Sequence, residues 1–276
     1  METFDLDGYP LPYEQRGAGE PLLLIHGSVN DSRAWMHQMD AFGAHFRTLV
    51  PSLRHCYPER WDGVGDDFTV EQHARDLAAL LEAQAPSGAH IVGHSRGGAV
   101  AIELARTRPA LVRRLVLADP GGLEALLPDT PEGRAMAAES SAMFDRLRDA
   151  LAQGDAVAAA RAFVDALGGA GAWDRRSPGQ KAILLDNIAT GPNCAERPRF
   201  TAAALRALAM PMLLVTGARS PARYAIMLDA MRALYDPQPP VVVVPDAAHA
   251  MNRENPAAFN EAVLAFLSGV TPLATP

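Results

Sequence analysis

Short, continuously hydrophobic runs recur along the chain, and longer segments with a helical repeat separate them. Continuous rather than alternating hydrophobicity is typical of strands that are buried on both faces, as in a parallel sheet covered by helices. The alternation therefore predicts an α/β fold with right-handed crossovers. The six runs are 22–25, 46–50, 89–92, 115–118, 212–215 and 241–244.

Helix boundaries are marked by capping residues. Residues 69–84 carry apolar side chains at a helical period, and the first of these residues, Thr69, is a candidate N-cap. Near the end of the chain, Asn255 precedes Pro256, a pair that is typical of a helix start. The first twenty residues favour an antiparallel hairpin at the edge of the sheet.

A long interval without a convincing strand follows Asp119 and extends to Pro211. Its hydrophobic residues are spaced helically, so it predicts a helical insertion between two strands of the sheet. We expect residues 1–120 and 209–276 to form the core and residues 121–208 to form a helical cap. Ligands of open α/β sheets bind outside the carboxyl ends of the strands, so this cap is predicted to cover the site. Substitution of cap residues such as Met143 or Phe144 is expected to shift the preferred acyl size, although the methionines of the insertion are favoured as core residues.

The strongest chemical signal is the sequence Gly93-His94-Ser95-Arg96-Gly97-Gly98, between a predicted strand and a predicted helix. In the pattern G-x-S-x-G, the serine occupies a sharp strand-to-helix turn that exposes its hydroxyl above the sheet. The following helix N-terminus contributes free backbone N–H groups. Ser95 is therefore the predicted nucleophile.

A serine nucleophile needs a base, and His249 is placed to supply it. It follows the last predicted strand and precedes the final helix, in keeping with the order nucleophile, acid, histidine. His26 and His94 also flank the predicted site, but their motif positions favour a role in loop geometry.

With these residues the chain resembles the α/β-hydrolase-fold proteins over nearly its whole length. The resemblance is carried by His26-Gly27-Ser28, by the sequence around Ser95, and by Ala248-His249 ahead of Asn255-Pro256. It implies a mostly parallel eight-stranded sheet with helices on both faces and a helical cap inserted after strand six. It also implies a Ser–His–acid triad and an oxyanion hole formed by the backbone N–H groups of Ser28 and Arg96.

The triad acid departs from the usual form of this family. The loop after the strand 212–215 carries Ser220 where an aspartate is expected. Asp119 directly follows the strand 115–118, at the same edge of the sheet. Some α/β-hydrolase families have their triad acid after this earlier strand. Asp119 is the favoured acid, and Asp246 and Asp229 remain alternatives.

These residues predict a serine hydrolase that cleaves a small carboxylic ester, or a similar acyl compound, through an acyl-enzyme on Ser95. One alternative is hydrolysis of a carbon–carbon bond in diketone ring-fission products. Another is a non-catalytic ligand-binding homologue, because a fold does not fix a function. Epoxide hydrolase and haloalkane dehalogenase chemistry are disfavoured, since both use a carboxylate nucleophile.

The composition of the chain limits the classes of molecule that the protein is expected to bind. The net charge of −7 argues against nucleic-acid or anionic-membrane binding, and no apolar stretch is long enough to span a membrane. Cys56 and Cys194 match no disulfide framework or zinc spacing, and the first residues lack the pattern of a signal peptide. We expect a cytoplasmic enzyme with a small-molecule acyl substrate, no cofactor and no metal.

Overall fold

A computed structural model describes residues 1–196 and 198–269. In this part of the chain, eight strands form one sheet in the order β1-β2-β4-β3-β5-β6-β7-β8. The pairs β1–β2 and β2–β4 are antiparallel, and the remaining pairs are parallel. The strands are β1 Glu2–Leu6, β2 Tyr9–Arg16, β3 Pro21–Ile25, β4 Arg47–Pro51, β5 Ala89–His94, β6 Val112–Ala118, β7 Met212–Gly217 and β8 Val241–Val244. The predicted α/β fold and its eight-stranded, mostly parallel sheet are confirmed.

Helices connect the parallel strands, and short 3₁₀ turns occur between them. The predicted caps are present, because Thr69 Oγ1 accepts a hydrogen bond from Gln72 N and Asn255 Oδ1 accepts one from Ala258 N. The helices are α1 Met39–Gly43, α2 Val70–Gln84, α3 Arg96–Thr107, α4 Pro131–Ala152, α5 Ala156–Gly168, α6 Pro178–Asp186, α7 Ala202–Arg206, α8 Ala222–Arg232, α9 Met251–Glu254 and α10 Pro256–Leu267. None of the described helices is long and apolar enough to cross a membrane.

Both faces of the central strands are buried, which explains the continuous hydrophobic runs. Leu23 of β3 and Ile91 of β5 pack into one apolar cluster, which includes side chains of α2 and α3. The next residues along the same strands, Leu24 and Val92, pack into a second cluster that includes side chains of α10. Successive side chains of a strand point to opposite faces, so each central strand contributes to both layers.

The interval between β6 and β7 holds helices α4–α7 and no strand among its described residues. Helices α4 and α5 pack against each other, with the rings of Phe144 and Phe163 5.9 Å apart. This helical insertion follows the sixth strand, as expected. The division into a core and a cap at residues 120 and 208 stays a prediction, and residues 270–276 of the predicted core lie outside the described residues.

Candidate active site

Ser95 occupies the turn between β5 and α3 in a strained backbone conformation, with φ 55° and ψ −122°. A non-glycine residue in such a region costs of order 1–3 kcal/mol and persists only where its surroundings impose it. Here the backbone of Ser95 is held on both sides. Its N–H donates to Ala118 O at 2.9 Å, and its carbonyl accepts from Gly98 N at 2.8 Å and from Gly121 N at 2.9 Å.

The glycines around Ser95 allow backbones to approach each other closely. A Cβ atom on Gly97 would lie 2.2 Å from the carbonyl oxygen of Ile25, and one on Gly93 would lie 2.5 Å from that of Gly97. Both distances are too short for any side chain. The close contact seats the start of α3 against the end of β3, so the turn needs glycine at these positions.

His249 lies in the loop between β8 and α9, within reach of the same space. Its Nδ1 atom is 3.1 Å from Asp119 Oδ2, and its ring stacks on that of Tyr224 at 4.7 Å. The Nε2 atom is buried and has no hydrogen-bond partner among the described residues. Both His249 and Ser95 line one cavity. An imidazole held at Nδ1 and open at Nε2 has the orientation that a general base requires.

Two other histidines support the loops around this cavity. His94 Nε2 donates to the carbonyl oxygen of His249 at 2.7 Å. His26 Nδ1 donates to Gly27 O at 2.9 Å, and His26 Nε2 accepts from Leu53 N at 3.0 Å. Each of these rings bonds to the backbone, in keeping with the predicted structural role.

The structure brings Asp119 to His249 and leaves the other candidate acids at the surface. Asp119 directly follows β6 and is fully buried, whereas Asp229 on α8 and Asp246 are exposed. Burial raises the pKa of the Asp119 carboxyl group, and a hydrogen bond from Ser220 lowers it. Burial also lowers the pKa of His249, which favours the neutral imidazole.

Ser220 makes hydrogen bonds in the site that the sequence did not predict. Its hydroxyl donates to Asp119 Oδ2 at 2.6 Å and accepts from Gly217 N at 3.1 Å. The sequence placed this serine at the usual position of the acid but did not predict a hydrogen bond to Asp119. Its position after β7 was the available signal, since β7 pairs with β6 and their carboxyl ends meet at one edge.

Ser28, which lies in the loop after β3, and Arg96, which directly follows Ser95, are the predicted oxyanion-hole residues. Ser28 lines the cavity, and Arg96 is the first residue of α3, where backbone N–H groups point out of the helix start. The Arg96 side chain is buried elsewhere: its guanidinium donates to His73 Nδ1 at 2.8 Å and to Phe68 O at 3.1 Å. The side chain of Arg96 is therefore engaged away from the cavity, and the role of its backbone N–H in an oxyanion hole stays a prediction.

The cavity above Ser95 is closed by the helical insertion. Phe163, Val164 and Leu167 of α5 and Leu184 of α6 form its apolar wall. Its free volume is about 30 Å³, room for about one or two water molecules.

Met143 and Phe144 do not line this cavity, so the favoured core position of Met143 agrees with the structure, whereas Phe144 is not a pocket residue here. Both are buried on α4, and Phe144 packs behind Phe163. Two arginines that the sequence did not single out do line it, Arg176 and Arg253. The position of Arg253, four residues after His249, was the one signal available in the sequence.

The described residues hold no group of three or more His, Cys, Asp or Glu side chains arranged to bind a metal ion. Cys56 and Cys194 are buried and are not joined in a disulfide.

Comparison with known proteins identifies the family of this chain. The sequence profile of the alpha/beta hydrolase family matches residues 22–262, most of the chain. The chain belongs to the alpha/beta hydrolase family. That span begins in β3 and ends within α10, so the motif at His26, the turn at Ser95 and the loop at His249 all lie inside the family's match.

Several family members and solved structures are similar to this chain. The 2-hydroxy-6-oxo-2,4-heptadienoate hydrolase of Pseudomonas putida is 37% identical over 123 residues, which are 41% of this chain and 42% of that protein. The matched segments cover 33–42% of the length of four curated relatives, including this one.

Two solved alpha/beta structures match over almost their whole length. A thermophilic esterase from Thermogutta terrifontis has a TM-score of 0.74 and 27% identity, with 97% of this chain and 96% of that chain covered. A hydrolase from Pseudomonas aeruginosa PA01 has a TM-score of 0.75 and 25% identity, with 96% and 97% covered.

Proposed function

We propose that the protein is a serine hydrolase that cleaves a small carboxylic ester, or a similar acyl compound, through an acyl-enzyme on Ser95. The observation that carries this proposal is the shared cavity of Ser95 and His249, with the buried Asp119 carboxylate 3.1 Å from His249 Nδ1. These three groups have the chemistry of a nucleophile, a base and the acid that orients the base.

In the proposed reaction, His249 Nε2 takes the proton from Ser95 Oγ as that oxygen attacks the acyl carbon. The carbonyl oxygen becomes an oxyanion, which the backbone N–H groups of Ser28 and Arg96 stabilise. The carbon–oxygen bond to the alcohol then breaks, and His249 gives its proton to the leaving alkoxide. A water molecule deprotonated by His249 then attacks the acyl carbon. The bond from this carbon to Ser95 Oγ breaks, and His249 returns the proton to Ser95 Oγ as the acid product leaves.

The comparisons support this chemistry at two levels. Membership of the alpha/beta hydrolase family favours hydrolysis in general. The Thermogutta terrifontis protein, 27% identical over 97% of this chain, is described as an esterase. Its likeness favours an ester as the substrate.

Carbon–carbon bond hydrolysis is the second candidate. One observation favours it: the Pseudomonas putida relative named a 2-hydroxy-6-oxo-2,4-heptadienoate hydrolase is 37% identical over 41% of this chain. The same triad would serve both reactions, so the substrate distinguishes them. A non-catalytic ligand-binding role is the third candidate, and the test below separates it from the other two.

The test combines a fluorophosphonate probe with a substrate panel. The probe forms a bond only with an activated serine hydroxyl, so we expect labelling of the wild-type protein and of Ser52→Ala but not of Ser95→Ala. Ser52 is a buried serine that directly follows β4, so Ser52→Ala controls for loss of a buried hydroxyl. Short-chain 4-nitrophenyl esters and a diketone ring-fission product then identify the bond that is cleaved. Absence of labelling and of turnover on either class would favour the non-catalytic role.

A further inference from the structure

Two arginines approach the reacting residues without a carboxylate partner. Arg176, between α5 and α6, and Arg253, on α9, both line the cavity with Ser95 and His249. Their Nε atoms are buried and have no hydrogen-bond partner among the described residues. The one hydrogen bond that the described residues make to either guanidinium joins Arg253 Nη1 to the Asn30 Oδ1 atom at 3.1 Å.

Some of the partly buried arginines elsewhere in the structure are paired with a carboxylate. Arg33 lies 2.7 Å from Asp31, and Arg54 lies 2.9 Å from Asp76. By contrast, no described carboxylate oxygen lies within 4.0 Å of Arg176 or Arg253. A charge taken out of water without a partner is costly, so a guanidinium in this state is poised to bind an anion.

Glu254 is the acidic side chain on the wall of this cavity, and its carboxylate is already engaged. Its Oε2 atom accepts a hydrogen bond from Ala248 N at 2.7 Å. Glu254 raises the pKa of both arginines through space, but burial is the larger effect and lowers both values. Arginine nevertheless stays protonated in proteins. Two half-buried guanidinium groups and one carboxylate therefore line the cavity. His249, which lines it too, must be neutral to act as a base.

We propose that Arg176 and Arg253 bind a carboxylate of the substrate, so that the enzyme acts on esters that carry a negative charge, such as monoesters of dicarboxylic acids. This inference rests on the proposed hydrolysis at Ser95. A guanidinium presents a planar set of N–H donors that matches a carboxylate in two parallel hydrogen bonds. The apolar wall from α5 would contact the methylene chain between the ester and the carboxylate.

The experiment compares two substrates that differ only in this charge, monomethyl glutarate and dimethyl glutarate, by pH-stat titration. We expect the wild-type protein to favour the charged monoester in kcat/KM by tenfold or more. Arg253→Gln and Arg176→Gln should each lower kcat/KM for the monoester by 10- to 100-fold and leave the diester within threefold. Arg253→Lys keeps the charge and should recover part of the loss. Arg148→Gln, an exposed arginine on α4 outside the cavity, is the matched control for the loss of a positive charge.

Binding to the inactive Ser95→Ala protein separates this proposal from the proposed reaction. Calorimetric titration should detect monomethyl glutarate with at least tenfold higher affinity than dimethyl glutarate, and Arg253→Gln should remove the difference. Equal affinity for the two compounds, or a wild-type preference for the diester, would overturn the carboxylate site even if Ser95 reacts with the fluorophosphonate. Selective binding without labelling of Ser95 would instead retain the carboxylate site and reject the hydrolase.

Discussion

Ser220 donates a hydrogen bond to Asp119 Oδ2 at 2.6 Å, although the two residues follow different strands of the sheet. The same oxygen lies 3.1 Å from His249 Nδ1. The serine after β7 thus supports a carboxylate that follows β6. The acid, Asp119, follows β6, and its hydrogen-bond donor, Ser220, follows β7. The carboxyl ends of these two paired strands are adjacent.

Removal of the Ser220 hydroxyl tests this relationship. Ser220→Ala should lower kcat/KM about tenfold, because a hydrogen bond to a charged group contributes roughly 1.5–3 kcal/mol. The hydrogen bond lowers the pKa of Asp119, so its loss should also move the acidic limb of the pH–activity profile to higher pH. Ser220→Thr retains a hydroxyl, so the acidic limb of its pH–activity profile should stay at the wild-type pH. A tenfold loss of activity with an unmoved limb would mean that Ser220 acts only on the loop structure.

The identity of the acid is tested by three amide substitutions. Asp119→Asn should lower turnover by about 10⁴-fold, because an amide neither fixes the imidazole tautomer nor stabilises the imidazolium. Asp229→Asn and Asp246→Asn change exposed residues and should stay active. Steady-state measurement of kcat for the three variants on one ester tests which aspartate is the acid. If Asp229→Asn or Asp246→Asn were the inactive variant, the acid would be misassigned and the hydrolase proposal would remain.

The pH dependence follows from the proton that Asp119 and His249 share. The reactive form requires an ionised Asp119 and a neutral His249, so the pair must first lose this proton. Burial raises the pKa of Asp119 to about 7 and lowers that of His249, so the last proton leaves the pair near neutrality. We expect kcat/KM to rise with pH and to reach a plateau above about pH 7, with an apparent pKa that belongs to the pair. A profile that is flat from pH 5 to 8 would contradict this.

The wall of α5 is expected to limit the size of the substrate. Phe163→Ala enlarges the cavity and should raise kcat/KM for hexanoate relative to acetate esters, measured on a 4-nitrophenyl ester series. Val157→Ala, at an exposed position of the same helix, should leave the preference unchanged. Met143→Ala should destabilise the fold by about 2–5 kcal/mol, as expected for a buried side chain, without shifting the preference. If none of these substitutions changes chain-length preference, the insertion has a structural role only.

Gly97 provides a test of the packing that seats the nucleophile. Gly97→Ala places a Cβ atom 2.2 Å from Ile25 O, and overpacking of this kind typically costs about 1–3 kcal/mol. A Cβ atom on Gly179 of α6 would have nothing within 4 Å, so Gly179→Ala should stabilise the protein by about 0.4–1 kcal/mol. Denaturant unfolding of both variants measures the difference. Equal stabilities would show that the turn can relax around a methyl group.

Local patterns in the sequence were enough to predict most of the framework. The hydrophobic runs predicted the strands, and Thr69 and Asn255 marked helix starts where the structure has them. The glycine pattern around Ser95 predicted a strand-to-helix turn between β5 and α3, which the structure has. These signals act over a few residues, because a buried strand, a cap or a tight turn depends mainly on its own side chains and backbone.

Only the tertiary structure decided which distant groups meet at this turn. Asp119 precedes both Ser220 and His249 by more than a hundred residues, and the three come together because parallel pairing aligns the carboxyl ends of their strands. The packing of α5 rather than α4 over Ser95, and the approach of Arg176 and Arg253 to the cavity, depend on how the insertion lies on the sheet. The sequence alone therefore determined the strands, the caps and the candidate nucleophile. The partners of the nucleophile depend on contacts between remote segments, which no local pattern encodes.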